Sequence, residues 1–456
     1  MVCRMRSRLL RRPRPRPLLW ASCGVAGVIT IGTAVSLATN LGSFGFSSTA
    51  DQGRLALVNV PRDAATLQQA VALVRPGGTI LISPGTYRES ALIDKARVVV
   101  RGLDRNRVVF DGSWRMDDGI TVTAPGVSVE NLTVRDYNLN GVLVTGETDA
   151  DGHGVGRGSD GYEPEDPSKY PPLDGFRIRY VTSYDNGLYG IYAFDAHDGV
   201  IERTYTSGGA DSGLYVGQCV PCDVVVRDNI AERNAVGLEA DNASMHMYVL
   251  GNRLTGNRVG LAIGSNYQEA LIPQRSATIV GNLVARNDDP DSPEQADGGF
   301  GIGIGIDGGN ANLVARNRVV DNPTVGLVIE SHEDLAPTGN TVDGNVFTHN
   351  GLDVGYAASE RAPGSGDCIR PDNVLRTALP ALPPVDGCLN GTGAELAQPA
   401  APPGLSFHAV PAPPPQADLP PGTPYTAAVG LPGVVNPDGI ALPAPNLLSE
   451  GSVVTP

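Results

Sequence analysis

The sequence predicts an all-β fold, a single-stranded parallel β-helix of about ten coils, on three observations. An asparagine pair recurs: Asn229 and Asn234 return as Asn252/Asn257, Asn282/Asn287, Asn317/Asn322 and Asn345/Asn350, with Asn131 and Asp136 as an earlier copy. Where nothing is inserted the period is about 23 residues, marked by Gly190, Gly213, Gly237 and Gly260. Each copy also carries short alternating apolar runs, such as Val224–Val226, Ile230 and Gly237–Ala240, separated by Gly, Asn and Asp. Such runs are too short for helices and suit strands. A fixed period of this size means a solenoid whose repeats bury their apolar faces only against neighbours. Three strands per copy close one coil, and coils stack at the strand spacing of about 4.8 Å.

The chain divides into three parts. Residues 1–16 hold seven Arg and no acid, and an apolar stretch follows from Leu18 to Ala38. At about 21 residues it is long enough to span a bilayer, and the Arg flank predicts that its start stays cytoplasmic. Residues 1–50 therefore read as a basic N-terminus with one signal or transmembrane helix. Cleavage after Ala38 or Ala50 and retention as a membrane anchor both stay open. Either way the rest is expected to be extracytoplasmic. Residues 51–360 form the β-helix domain. About twenty of the 37 prolines lie after Arg361. Stretches such as Pro399–Pro403 and Pro411–Pro415 cannot form ladders or helices, so 361–456 reads as a Pro/Ala-rich tail, largely disordered beyond residue 390.

The recurrent Asn residues have a structural use. Asn tolerates left-handed backbone at a tight corner, and its amide can bond the Asn of the coils above and below. No chemistry is assigned to them.

Charge and cysteines narrow the partners. Formal net charge is −15, and removing the seven basic N-terminal residues leaves −22. No phosphate-neutralising stripe is present, which excludes nucleic acid. An acidic glycan would be repelled unless a cation or local Arg offset the field. Of six Cys, Cys219, Cys222, Cys368 and Cys388 lie in the exported part. Two disulfides, Cys219–Cys222 and Cys368–Cys388, fit an oxidising compartment. A redox or metal role for Cys219-x-x-Cys222 is the alternative.

Stacked coils turn sequence offsets into surface columns. Aligned on Gly190, Gly213, Gly237 and Gly260, the next and third residues of each third strand are apolar and point inward. The residue between points outward: Tyr192, Tyr215, Glu239, Ala262. Just past the strand come Asp195, Gln218, Asn242 and Ser265. Aromatic faces beside carboxylates and amides suit a sugar ring, so Tyr192, Asp211, Tyr215, Gln218, Glu239 and Asn242 are candidate glycan-binding residues. Excursions near 147–174, 265–275 and 288–300 would wall this face into a groove. Within the first, Asp149 and Asp151 have oxygen-ligand spacing for a Ca2+ ion, without a full EF-hand pattern. His246, His332, His349 and His408 are scattered and read as structural or exposed.

Over residues 55–358 the repeats resemble the right-handed parallel β-helix superfamily, which includes NosD-like proteins and carbohydrate-active members. By that resemblance, Ala65–Ala70 is a short capping helix and Gly77–Tyr87 the first coil. Tyr189 to Asp198, with Asp195-Ala196-His197-Asp198, resembles the Asp-Pro-His-Asp segment of mannuronan C5-epimerases. That resemblance makes His197 a base removing a sugar C5 proton, with Asp195 and Asp198 supporting it. Ala196 departs from the pattern, and Arg203 is the only candidate for neutralising a substrate carboxylate. A solvated corner between strands is the plain alternative. Asp211–Gln218 and Ala231–Asn242 are similar to exported bacterial β-helix proteins without an assigned activity.

Together these features predict an exported protein that binds polysaccharide or cell-envelope glycan on its third-strand face, as a lyase or epimerase if catalytic. A non-catalytic envelope scaffold and a NosD-like accessory protein are the alternatives.

Overall fold

In the computed structural model the chain winds as stacked coils with three parallel strand faces. The structure describes residues 55–148, 168–296, 298–384, 386–428 and 435–449. The segment 1–50, with its expected signal or transmembrane helix, lies outside the described residues. Among those described, no helix is long and apolar enough to cross a membrane.

One short helix, Leu67–Leu73, follows the first strand, Leu55–Val60; its N-cap Thr66 accepts the Gln69 N–H at 3.1 Å. It buries Leu67, Ala70 and Val71 under the first strands. The third face is an 11-stranded parallel sheet from Ala91–Ile93 to Ala378–Leu379. The first and second faces join where single long strands, Val127–Arg135 and Leu173–Tyr184, run across both.

Period-2 alternation fills the prism. Ile191, Leu214, Leu238, Leu261, Ile304 and Leu327 share one register line and are fully buried. Each such side chain contributes about 1.5–3 kcal/mol relative to exposure, which makes this column the main cohesive force between coils. The corners are held by asparagine. Asn229 donates to Asn252 at 2.9 Å, and Asn252, Asn282, Asn317 and Asn345 continue the chain to Asn373 at 2.9–3.0 Å. Asn234, Asn257, Asn287, Asn322 and Asn350 form a second ladder at 3.0–3.1 Å. The left-handed backbone sits one residue earlier than the Asn repeat implies. It falls on Asp228, Gly251, Gly281 and Arg316 before the first ladder, and on Arg233, Gly256 and Arg286 before the second. Only Asn131 and Asp136 of the early copy are themselves left-handed.

The C-terminal part departs from expectation twice. Strand structure continues past residue 360: Gly364–Ile369 pairs antiparallel with Cys388–Gly391, across the Cys368–Cys388 disulfide. The proline-rich residues 396–428 and 435–449 are laid back along the solenoid as a strap. Proline leaves backbone carbonyls without a ladder to join, and arginines projecting from the coils take them. Arg258 donates to Pro402 O at 2.7 Å, and Arg101 to Thr423 O and Pro424 O at 2.7 and 2.8 Å. Arg316 reaches Pro437 O and Ile440 O at 2.6 and 2.9 Å, and Arg318 reaches Pro443 O at 2.7 Å. Composition alone cannot show these donors, because they lie 121 to 323 residues away in the chain.

Candidate functional site

The third face carries two environments. At its earlier coils the outward column Leu143, Tyr192, Tyr215, Glu239 is in register. Tyr192 and Tyr215, expected as exposed stacking surfaces, are 2% and 3% exposed. Tyr189 packs on both, with ring centres 4.4 and 4.8 Å away, and Leu143 and Phe194 complete the cluster. The Tyr215 hydroxyl donates to Glu269, from the excursion after the strand Val259–Gly264. Aromatic bulk and a folded-back loop seal this half of the face.

The corner residues expected as ligands are equally enclosed. Gln218 donates to Glu147 Oε1 at 2.9 Å and accepts the Ala270 N–H at 2.9 Å. Asn242 donates to Asn266 O at 2.7 Å and accepts the Asn266 N–H at 3.0 Å. Both are buried anchors for the loop. Asp211 is half-buried at the turn before Ser212–Cys219. The Cys219–Cys222 disulfide forms at that strand's end.

The His197 group divides. Asp195 is buried in a left-handed corner, and burial, then repulsion from Glu147, pushes its carboxyl up to about 7. His197 and Asp198 begin the next strand, Ala196–Glu202, on the first face. His197 Nδ1 lies 3.0 Å from Asp198 Oδ2 and 3.9 Å from Asp174 Oδ1. His197 therefore belongs to a different face from Tyr192, Tyr215 and Glu239. Arg203, at the far end of that strand, contacts the Tyr180 hydroxyl at 3.3 Å. Asp149 and Asp151 lie outside the described residues.

From the coil after Tyr215 onward, the third face opens into a groove of about 240 Å³. Its floor is Val236, Val259, Ala262, Ile302, Gly305 and Val328. Along one side runs a column in strict register: Asp241, Gly264, Asp307, Glu330. Gly264 keeps this line open; a Cβ there would lie 2.8 Å from Asp307 O. Asn266 donates to Asp241 Oδ2 at 2.8 Å, and His332 Nδ1 lies 2.9 Å from Asp307 Oδ2. Burial pushes the Asp241 carboxyl up to about 7, and repulsion from Asp307 adds to it. Burial and then Asp307 push Glu330 up to about 7. The hydrogen bond to Asp307 raises His332 in turn. Two carboxyls thus keep protons near neutrality beside an imidazole–carboxylate pair, the arrangement acid–base chemistry uses.

Sequence reasoning reached Glu239 and missed Asp241, Asp307, Glu330 and His332. A signal was present: Asp241, Gly264, Asp307 and Glu330 each stand four residues after Gly237, Gly260, Gly303 and Gly326. The insertion between Gly264 and Ile302 interrupts the period and hides the column.

Residues 173–363 match the family model described as NosD, periplasmic copper-binding protein. No curated protein matches the chain. Among solved structures, the A-module of the Azotobacter vinelandii mannuronan C-5 epimerase AlgE4 aligns at 16% identity and TM-score 0.44. That alignment spans 66% of this chain and 87% of that one. Pectate lyase Pel9A aligns at 14% identity and TM-score 0.39, over 71% and 78% of the two chains. The Dettilon tailspike protein aligns at 13% and 0.41, over 71% and 68%. At these scores the likenesses carry no argument about reaction or substrate. Its stacked parallel coils, with the family match inside them, give the chain a parallel β-helix fold.

Proposed function

We propose that this protein acts outside the cytoplasm, binds a polysaccharide along its third face, and performs acid–base chemistry on it in the groove. One observation carries the reading: Asp241, Asp307 and Glu330 stand in register over an apolar floor, with His332 bonded to the middle one. A groove running across stacked strands suits an extended chain of sugars. Asp241 or Glu330 donates a proton to a glycosidic oxygen, and the Asp307–His332 pair orients and deprotonates water. A lyase or epimerase would also need positive charge against a uronate carboxylate, and among the described lining residues only His332, already bonded to Asp307, could supply it. Hydrolysis is therefore the better reading of this groove. The two disulfides support an oxidising compartment. Release of reducing ends from a polysaccharide panel tests the proposal. Glu330→Gln and Asp241→Asn should each lower turnover by roughly 100-fold; turnover unchanged in both removes the chemistry from this groove.

A second reading rests on the family description. Asp174, His197 and Asp198 offer ligand atoms within 4.8 Å of one another. One imidazole with two carboxylates is a donor set that suits Cu(II), so these three residues would hold a copper ion in an accessory role. Calorimetric titration with Cu2+ decides: equal binding by wild type and His197→Ala dismisses this site.

A further inference from the structure

At the rim of the groove one aromatic side chain stands in the open. Tyr267 directly follows Asn266, the residue bonded to Asp241, and is 36% exposed. Elsewhere on this face the tyrosines Tyr192 and Tyr215 are sealed. The Tyr267 hydroxyl donates to Asp334 Oδ1 at 2.6 Å, and Arg361 Nη2 lies 3.4 Å from Asp334 Oδ2. Its ring centre is 6.2 Å from that of His332, tilted by 36°. The phenol's polar end is thus already occupied, and the ring is held in one orientation beside the groove's imidazole.

Exposed ion pairs contribute little to stability. Arg361, Asp334 and Tyr267 are therefore better explained by orientation than by folding. A preoriented ring spares the ordering cost that binding would otherwise meet. A pyranose offers a C–H-rich face that stacks on an aromatic ring, and hydroxyls that need acceptors. Glu239, Asp241, Asp307 and Glu330 supply the acceptors, and none of the described lining residues is Lys or Arg. A sugar carboxylate or sulfate would face the Asp307 carboxylate, with His332, already bonded to it, as the one cationic group among the described lining residues.

We propose that Tyr267 is the stacking platform of a sugar subsite at the mouth of the groove, and that the sugar is a neutral pyranose. This rests on the glycan reading above and adds to it a residue and a substrate class.

Calorimetry on the full chain tests it, with neutral hexaoses (xylo-, cello-, manno- and malto-) set against oligogalacturonate and oligomannuronate. A neutral hexaose should bind wild type. Tyr267→Ala should weaken it roughly tenfold, while Tyr267→Phe, which keeps the ring, should stay within about twofold. Glu330→Gln should weaken binding independently. If Tyr267→Ala binds like wild type while Glu330→Gln fails, the platform falls and the glycan reading stands. Selective binding of an anionic oligosaccharide overturns the neutral class. No binding by wild type overturns the glycan reading and this subsite together. Unfolding midpoints of Tyr267→Ala and wild type should coincide, because the side chain lies at the rim.

Discussion

The two halves of the third face begin from the same register and end as opposites. In the earlier coils the outward column is Leu143, Tyr192, Tyr215, and it is sealed by Tyr189, Phe194 and the loop bearing Glu269. In the later coils it is Ala262, Gly305, Val328; Ala262 and Gly305 are half-buried and Val328 buried, and these small side chains leave a groove beside Asp241, Asp307 and Glu330. Large aromatic side chains find more to gain by packing on one another than by waiting in water. Small residues leave a groove over this floor, with Leu352 and Leu396 packed against its apolar cluster. Outward position in a solenoid is therefore not exposure, and the smaller column made the groove.

The sharpest way to break this contrast is to remove the groove's carboxyls. Asp307→Asn should lower turnover on a glycan substrate by about two orders of magnitude or more, read as reducing-end release, since it takes away the partner that orients His332. His197→Ala, on the first face, should leave that turnover unchanged. A larger loss from His197→Ala would move the chemistry to the other wall.

The sealed half should respond in stability rather than turnover. Tyr215→Ala removes a buried ring and leaves Glu269 without its donor, at an expected cost of about 3–5 kcal/mol. Chemical denaturation should show it as a lower midpoint with an unchanged slope. A cost under about 1 kcal/mol would mean that the aromatic cluster is not packed as described.

Both halves contain carboxyls raised by burial, so both should add to pH dependence. Asp241, Glu330 and Asp195 hold their protons up to about 7 in the folded chain, above their ordinary values of 3.8, 4.5 and 3.8. Between those limits the folded state binds more protons than the unfolded one, so stability should fall as pH rises from about 4 through about 7. Melting temperatures across this range should show the decline. Asp241→Asn with Glu330→Gln should flatten the groove's share, and Asp195→Asn that of the sealed half.

The smallest effect expected is at the strap. Arg316→Ala loses two carbonyl contacts at a partly exposed site, a cost of about 1 kcal/mol. Hydrogen exchange should then rise in residues 435–443 while the groove strands stay protected.

Residues in the coils were legible because a solenoid writes its contacts locally. The Asn pairs, the Gly register and the Ile/Leu columns each recur at a spacing the chain itself displays, and each coil meets only its neighbours. The same logic set Glu239 in line with Tyr215 on the third face. It misplaced Tyr192, Tyr215, Gln218 and Asn242, because whether an outward residue meets water depends on what returns to cover it. Glu269 arrives across 54 residues to reach Tyr215, and no periodicity encodes that.

What the sequence determined by itself is the β-helix, its inward columns and its ladders, since repetition and side-chain period fix them before any long loop closes. What only the tertiary structure decided is which stretch of wall stays open, that His332 joins Asp307 across 25 residues, and that the proline strap lies on arginines. Those outcomes depend on loop closure between distant segments, where many pairings carry similar entropy costs and packing alone selects one.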